Sequence, residues 1–159
     1  MKMTSNKIII NLDSTKLSSH ECSLLENDII GGVILFDHNY ESLDQTNLLI
    51  DSIKSIRDDV LISVDHEGGR VQRFQKEFTL VPSFEDIGRL YLREPELADK
   101  AAYHSGYVSA FELKRVGIDI NFSPVIDLSS DSGVLNSRTL SENPDIVIVA
   151  TSNGVYRSV

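Results

Sequence analysis

Val64 to Phe74, reading VDHEGGRVQRF, is where this sequence concentrates groups that could do chemistry. Two acids, Asp65 and Glu67, precede paired glycines, Gly68 and Gly69, and two arginines, Arg70 and Arg73. Paired glycines permit a tight turn and the close approach of another group. The apolar run Val60 to Val64 reads as a buried strand, so Asp65 falls at the strand's carboxyl end. Charged side chains converging on such a turn describe a polar-ligand site of an α/β protein. The competing reading is a surface loop whose acids and arginines pair with one another, and spacing alone does not separate the two.

The elements that must position these residues follow a simple alternation. Lys7 to Leu12 reads as strand one. Ser18 and Glu21 have capping-box spacing, which predicts a helix to about Asn27. Gly31 and Gly32 are expected to break the chain before strand two, Val33 to Phe36, which is apolar on both faces as in a covered parallel sheet. Asp37 to Tyr40 form the loop at its carboxyl end. Ser42 and Gln45 make a second capping box, and Leu49, Ile53 and Ile56 mark the apolar face of a helix ending at Arg57. Strand three, Val60 to Val64, leads into the charged stretch, and Glu67 to Val81 is expected as a long polar, mobile loop. A short helix spans Ser83 to Leu90. A longer one starts at Pro95 and ends before Gly117, with Leu97, Ala101, His104, Val108 and Phe111 on its apolar face. Ile118 to Phe122 is strand four, followed by a small polar loop from Ser129 to Ser141. Asn143 and Pro144 then start a last helix, although its β-branched run Ile146 to Val149 would also suit a strand.

Four repeats of strand and helix in 159 residues imply a parallel sheet with helices outside it. One domain is the prior for this length. The net charge of -9 argues against nucleic acid or an anionic membrane surface as a partner. A single cysteine, Cys22, excludes an internal disulfide and suits a reducing, cytoplasmic setting. Cys22 lies in a predicted helix with His20 as its basic neighbour, a poor setting for a nucleophile. No run is long enough to cross a membrane, and the N-terminal apolar run is too short for a signal peptide.

Three motifs in order, G-G-V-I-L-F, D-x-E-G-G-R-V-Q-R-F and F-S-P-V-I-D, resemble the bacterial β-N-acetylhexosaminidases of glycoside hydrolase family 3. The similarity runs from about Leu12 to the end of the chain. It implies a (β/α)8 barrel and removal of N-acetylglucosamine from peptidoglycan fragments during cell-wall recycling. Such a barrel needs about 250 residues, with about 200 near the minimum. The expected fold is therefore α/β, an incomplete (β/α)8 TIM barrel of about four βα units, with residues 1–159 as the N-terminal part of the catalytic barrel. Its open strand edges would be prone to self-association.

Barrel sites lie at the carboxyl ends of the strands, which here carry Asp13, Asp37, Asp65 and Asp127. Since glycosidases use two carboxyls, Asp65 and Asp127 suggest themselves as a catalytic pair. The resemblance implies otherwise: Asp65 holds sugar hydroxyls, and Arg73 and Arg138 line the sugar site. A carboxylate accepts two hydroxyl hydrogen bonds and an arginine offers a rigid fork of donors, which suits that role. Asp127 then reads as an acceptor of backbone hydrogen bonds, and Glu67 with Arg70 as an ion pair shaping the loop. The family's acid/base histidine, in a loop after a K-H-F-P-G-H-G segment, and its nucleophilic aspartate match nothing in the sequence. The chain is thus expected to be a truncated enzyme that keeps part of the sugar site, with no catalytic residue of its own.

No cofactor motif and no metal-ligand spacing occurs, and His66 between Asp65 and Glu67 does not make a metal cluster. His104 reads as a hydrogen-bonded core histidine, His38 as a solvated loop residue and His20 as exposed. Two other readings stay open: a non-catalytic sugar-binding or interaction protein, and an unrelated small α/β domain that binds an anion through Arg70 and Arg73.

Overall fold

The computed structural model describes residues 8–129, 133 and 135–150. Its elements are β1 (Ile8–Asn11), α1 (Ser19–Leu25), β2 (Ile30–Leu35), α2 (Leu43–Ile56), β3 (Leu61–Val64), β4 (His66–Gly68), β5 (Val71–Gln72), α3 (Phe84–Tyr91), α4 (Pro95–Arg115), β6 (Ile120–Asn121) and α5 (Pro144–Ala150). The chain forms two compact units. One holds the residues up to Asp65, Arg73–Phe78 and Leu113–Asn121; the other holds His66–Gln72, Thr79–Glu112 and the residues from Phe122 onward.

The first unit is a four-stranded parallel sheet in the order β1-β2-β3-β6, with α1 and α2 packed on one face. Parallel neighbours need a crossover between them, and helices supply it. Side chains alternate along each strand, so the row Ile10, Val33, Ile62 faces the helices. There it meets Leu25 of α1 and Leu49, Ile50 and Ile53 of α2 in one core with Leu113, Val116 and Ile118. Gly31 and Gly32 do not break the chain as expected but lie inside β2. Strand pairing on both sides holds β2 extended, and a Cβ on Gly32 would stand 3.0 Å from the Leu61 carbonyl and 3.3 Å from Ile9.

Helix starts follow the local signals. Ser18 and Glu21 form a reciprocal capping box. Burial would raise the Glu21 pKa, but hydrogen bonds from the Ser18 hydroxyl and N–H and the Asp13 N–H outweigh it and hold the carboxyl below its usual value. At α2 the box is only half made. The Ser42 hydroxyl accepts from the Gln45 N–H, but the Gln45 side chain takes the Glu41 N–H and donates to Thr15 and Asn39 carbonyls. Gln45 thus ties two loops together instead of closing its own helix.

In the second unit the expected long loop is instead largely ordered. β4 and β5 pair antiparallel through a turn in which Gly68 and Gly69 have φ of 98° and 55°. The Gly69 N–H bonds to the Val81 carbonyl, and the Gln72 side chain donates to Thr79 and accepts from Val81. A polar composition here provides internal hydrogen bonds, which is why it did not mean mobility. The middle of the same segment, Arg73–Phe78, belongs to the first unit, where Phe74 and Phe78 are buried.

On α4 the expected apolar face is turned. Ala98, Ala102 and Ser109 are buried, whereas Leu97 and Phe111 are about half exposed, and His104 is exposed rather than in a core. The helix carries two stripes at the same period, and small residues allow the closer approach. Ala102 packs with Phe84, Ile87, Leu140 and Val147. The large rings Tyr103, Tyr107 and Phe111 stack on each other at centroid spacings of 6.4 and 6.5 Å. Asn143 caps α5 by accepting the Asp145 N–H, so the β-branched run is helical.

Gly88 sits in α3 against the Leu140 backbone, where an added Cβ would collide with the Leu140 carbonyl. In an exposed helix, Gly→Ala stabilises by about 1 kcal/mol. Here Gly88→Ala is expected to destabilise by on the order of 1–3 kcal/mol, as overpacking does, and thermal melting of the two proteins gives the sign.

Candidate functional site

The register pairs Leu35 of β2 with Val64 of β3, so Phe36 and Asp65 both follow directly at the carboxyl ends of adjacent strands. Arg73, just after β5, reaches this point. Its Nη2 lies 3.6 Å from Asp65 Oδ2, and its guanidinium carbon 5.3 Å from the centre of the Phe36 ring. Both charged side chains are about one-quarter exposed. At 3.6 Å the pair attracts without a true hydrogen bond. Among the described residues the Asp65 carboxylate accepts no hydrogen bond, and the buried Arg73 Nε has no acceptor. Buried polar atoms are rarely left so, and this pair keeps hydrogen-bonding capacity that the described residues do not use.

The loops around it are tied to one another. Asn39, fully buried, donates from Nδ2 to the Leu12 and Ser14 carbonyls at 3.0 and 2.9 Å and accepts the Phe36 N–H at 2.9 Å. His38 is exposed but not merely solvated, since its Nε2 bonds to the Leu12 carbonyl at 2.9 Å and its ring stacks on Phe36. Behind Arg73, the rings of Phe74, Tyr40 and Phe78 pack together at 4.6–5.7 Å. The Tyr40 hydroxyl donates to the Lys76 carbonyl, and burial, helped by Glu77, pushes its pKa to about 12.

In the second unit, Glu67 and Arg138 form a bidentate pair: Nε to Oε2 at 2.9 Å and Nη2 to Oε1 at 2.6 Å. The Glu67 side chain is 2% exposed. This corrects the expected Glu67–Arg70 pair. Glu67 lies on β4 and is buried, while Arg70, in the turn itself, is exposed. Arg138 sits on a 3₁₀ turn, Asn136–Arg138, beside buried Thr139, whose hydroxyl bonds to that of Ser129. Asp127 is exposed and, among the described residues, accepts no backbone hydrogen bond, against expectation. β6 ends at Asn121, so Asp127 lies well past the strand end. Of the three residues named for sugar binding, Asp65 and Arg73 come together, and Arg138 belongs to the other unit, on Glu67.

Phe36 and the partner of Glu67 escaped the sequence reading. Phe36 could have been found as an aromatic ending the strand beside the one that carries Asp65. The Glu67–Arg138 pair spans 71 positions and left no local signal. Among the described residues no group of three or more His, Cys, Asp or Glu could hold a metal ion, and no helix is long and apolar enough to cross a membrane.

This chain belongs to glycosyl hydrolase family 3, whose N terminal domain matches residues 3–155. It is 37% identical over 147 residues to a beta-hexosaminidase of Nitrosospira multiformis, covering 91% of this chain and 42% of that protein. Native NagZ from Neisseria gonorrhoeae superposes with a TM-score of 0.90 at 33% identity, over 98% of this chain and 48% of NagZ. A second structure of that NagZ, in complex with N-trifluoroacetyl-D-glucosamine, matches with the same TM-score. The chain spans less than half the length of these relatives. Its fold is the α/β arrangement of a partial TIM barrel, as expected.

The burial of Glu67 yields a stability prediction. Removing one partner of a buried ion pair leaves an uncompensated charge and costs about 3–5 kcal/mol. Arg138→Ala should lose about that much in urea denaturation, whereas Arg73→Ala, freeing a part-exposed carboxylate, should lose about 1 kcal/mol or less.

His66 yields a pH prediction. Burial lowers its pKa from 6.5 to about 4, although nearby Glu112 pulls it upward. The unfolded chain binds that proton near 6.5 and the folded chain only near 4. Stability is therefore full above the higher value and falls as pH drops toward the lower, by on the order of 1–3 kcal/mol. Thermal melts across that window should show a steeper fall for the parent chain than for His66→Phe.

Proposed function

We propose that residues 1–159 are the substrate-binding, N-terminal part of the catalytic barrel of a β-N-acetylhexosaminidase. The parent reaction is removal of terminal β-linked N-acetylglucosamine, with retention, from peptidoglycan fragments in the cytoplasm. The observation that carries this reading is the Asp65–Arg73 pair at the carboxyl ends of β2 and β3, with hydrogen-bonding capacity unused. Asp65 would accept two sugar hydroxyls, and Arg73, steadied over Phe36, would donate from its fork. The resemblance also names Arg138 for sugar binding; within its own unit its guanidinium is held by Glu67. The complex of the gonococcal NagZ with a glucosamine derivative supports the ligand class.

Hydrolysis with retention needs an acid/base and a nucleophile, and neither family motif occurs within the 159 residues. These residues are accordingly read as binding sugar without cleaving it and as needing no cofactor. Among the described residues β1 and β6 each pair on one side only, and self-association through such edges is part of the same reading. The anion-binding alternative is weakened because Asp65 already neutralises Arg73.

The test is NMR titration of the chain with N-acetylglucosamine, beside a chromogenic N-acetylglucosaminide assay. Hydrogen bonds to a charged group are worth about 1.5–3 kcal/mol, so Asp65→Ala should weaken binding by about tenfold or more. Equal affinity in Asp65→Ala would remove Asp65 from the site. Turnover proportional to the concentration of the 159-residue chain would overturn the non-hydrolytic reading.

A further inference from the structure

Arg73 lacks what usually holds a buried arginine in place. Among the described residues its guanidinium meets the Asp65 carboxylate at 3.6 Å and the Phe36 ring, and neither contact is a hydrogen bond. Where the guanidinium stands therefore depends on where the backbone that carries it is fastened. That backbone is the start of Arg73–Phe78, a strap lying on the first unit. Phe74 and Phe78 bury their rings in the unit's core. Between them the chain turns, with the Phe78 N–H bonded to the Gln75 carbonyl at 3.2 Å.

Glu77 stands in this turn at φ 64°, and among the described residues no other non-glycine has a positive φ. A left-handed φ at the third place of a turn suits glycine, and a longer side chain there is strained. Strain of this kind persists where the surroundings hold the residue. What holds Glu77 is α2. Its Oε2 accepts the N–H of Leu43, the first residue of that helix, at 3.2 Å. The partial positive charge of a helix N-terminus favours a carboxylate there. The other polar ties of the strap run to a loop: the Tyr40 hydroxyl donates to the Lys76 carbonyl, and Lys76 Nζ reaches the Glu41 carbonyl at 3.4 Å. Only the Glu77 tie ends on a helix, and α2 packs through Leu49, Ile50 and Ile53 on the sheet whose strand ends carry Phe36 and Asp65.

We propose that Glu77 is a positioning residue for Arg73. Its carboxylate clasps the strap to the start of α2, so that Arg73 and Asp65 are both placed by the same sheet. The clasp does through the backbone what a hydrogen-bonded partner would otherwise do at the guanidinium, and it leaves the donors of Arg73 unspent. The consequence for binding rests on the sugar reading of the Asp65–Arg73 pair; the placement of Arg73 does not.

The test is NMR of the chain, reading the order of the Arg73 Nε–H bond beside titration with N-acetylglucosamine. Glu77→Gly suits the left-handed φ and keeps the turn while removing the clasp. In it the Arg73 Nε–H should lose order, and affinity should fall by about two- to tenfold, because a loosened arginine must be immobilised on binding. Glu77→Gln, whose side-chain oxygen can still accept the Leu43 N–H, should keep more of both. Ser18→Ala, which removes the cap of α1 instead, should lower the melting temperature and leave the Arg73 signal unchanged. If Glu77→Gly does not fold, Glu77→Asn, which also tolerates this φ but is too short to reach Leu43, gives the same comparison. An Arg73 Nε–H as ordered in the folded glycine or asparagine variant as in the parent overturns the proposal. So does a glutamine variant as loose as the glycine one, or an equal loosening in Ser18→Ala, which would make the effect one of stability alone. A parent chain that binds no sugar overturns the sugar reading, and the order of Arg73 then decides the clasp by itself.

Discussion

Parallel pairing of β2 with both of its neighbours is the constraint on which the rest of the first unit depends. Parallel strands bring all their carboxyl ends to one side, so Leu12, Phe36 and Asp65 emerge together although they are far apart in sequence. The pairing also demands a crossover after each strand, and α1 and α2 fill that role while burying the helix-facing rows. Gly32 lets the three strands approach without displacing Ile9 or the Leu61 carbonyl. Asn39 then converts nearness into fixed geometry: its amide joins the loop after β1 to the loop after β2 with every bond satisfied inside the protein.

Two acid–arginine pairs arise from the same short stretch, and their surroundings give them opposite characters. Glu67 is almost wholly buried and holds Arg138 in a short bidentate contact. Desolvated charges must be matched this closely or they destabilise the fold. Asp65 and Arg73 are part-exposed and stand 3.6 Å apart, close enough to attract but too far to saturate each other. A pair of that kind adds little to stability and retains donors and acceptors for something else. Residue type does not distinguish the two pairs; burial and distance do.

The sheet face opposite α1 and α2 shows the same dependence on context at a larger scale. Ile9 and Leu61 are apolar yet 48% and 46% exposed there, whereas Ser63 on the same face is 1% exposed. In the gonococcal NagZ, this fold matches 48% of a longer chain. Apolar side chains of that sort are unfavourable in water and favourable once covered, so residue type alone does not decide their burial.

Short-range physics was legible in the sequence. The Ser18–Glu21 box, the Asn143 cap, Pro95 at a helix start and Gly117 at positive φ each act within a few residues, and each stands where its signal pointed. The run Val60 to Val64 and the acid after it were likewise legible, because burial of a parallel strand imposes an unbroken apolar stretch. Tertiary structure decided what depends on partners distant in sequence. It chose the small-residue stripe of α4 over the aromatic one, since periodicity fits both and only close approach selects between them. It gave Glu67 to Arg138 rather than to Arg70, because a buried carboxylate pairs with the cation that can reach its pocket, not with the nearest one along the chain. It kept Gly31 and Gly32 within a strand because flanking strands supplied the hydrogen bonds that glycine's own flexibility would not. Local sequence sets what a residue can do; which neighbour it meets is settled when strands 20 to 60 residues apart come into register.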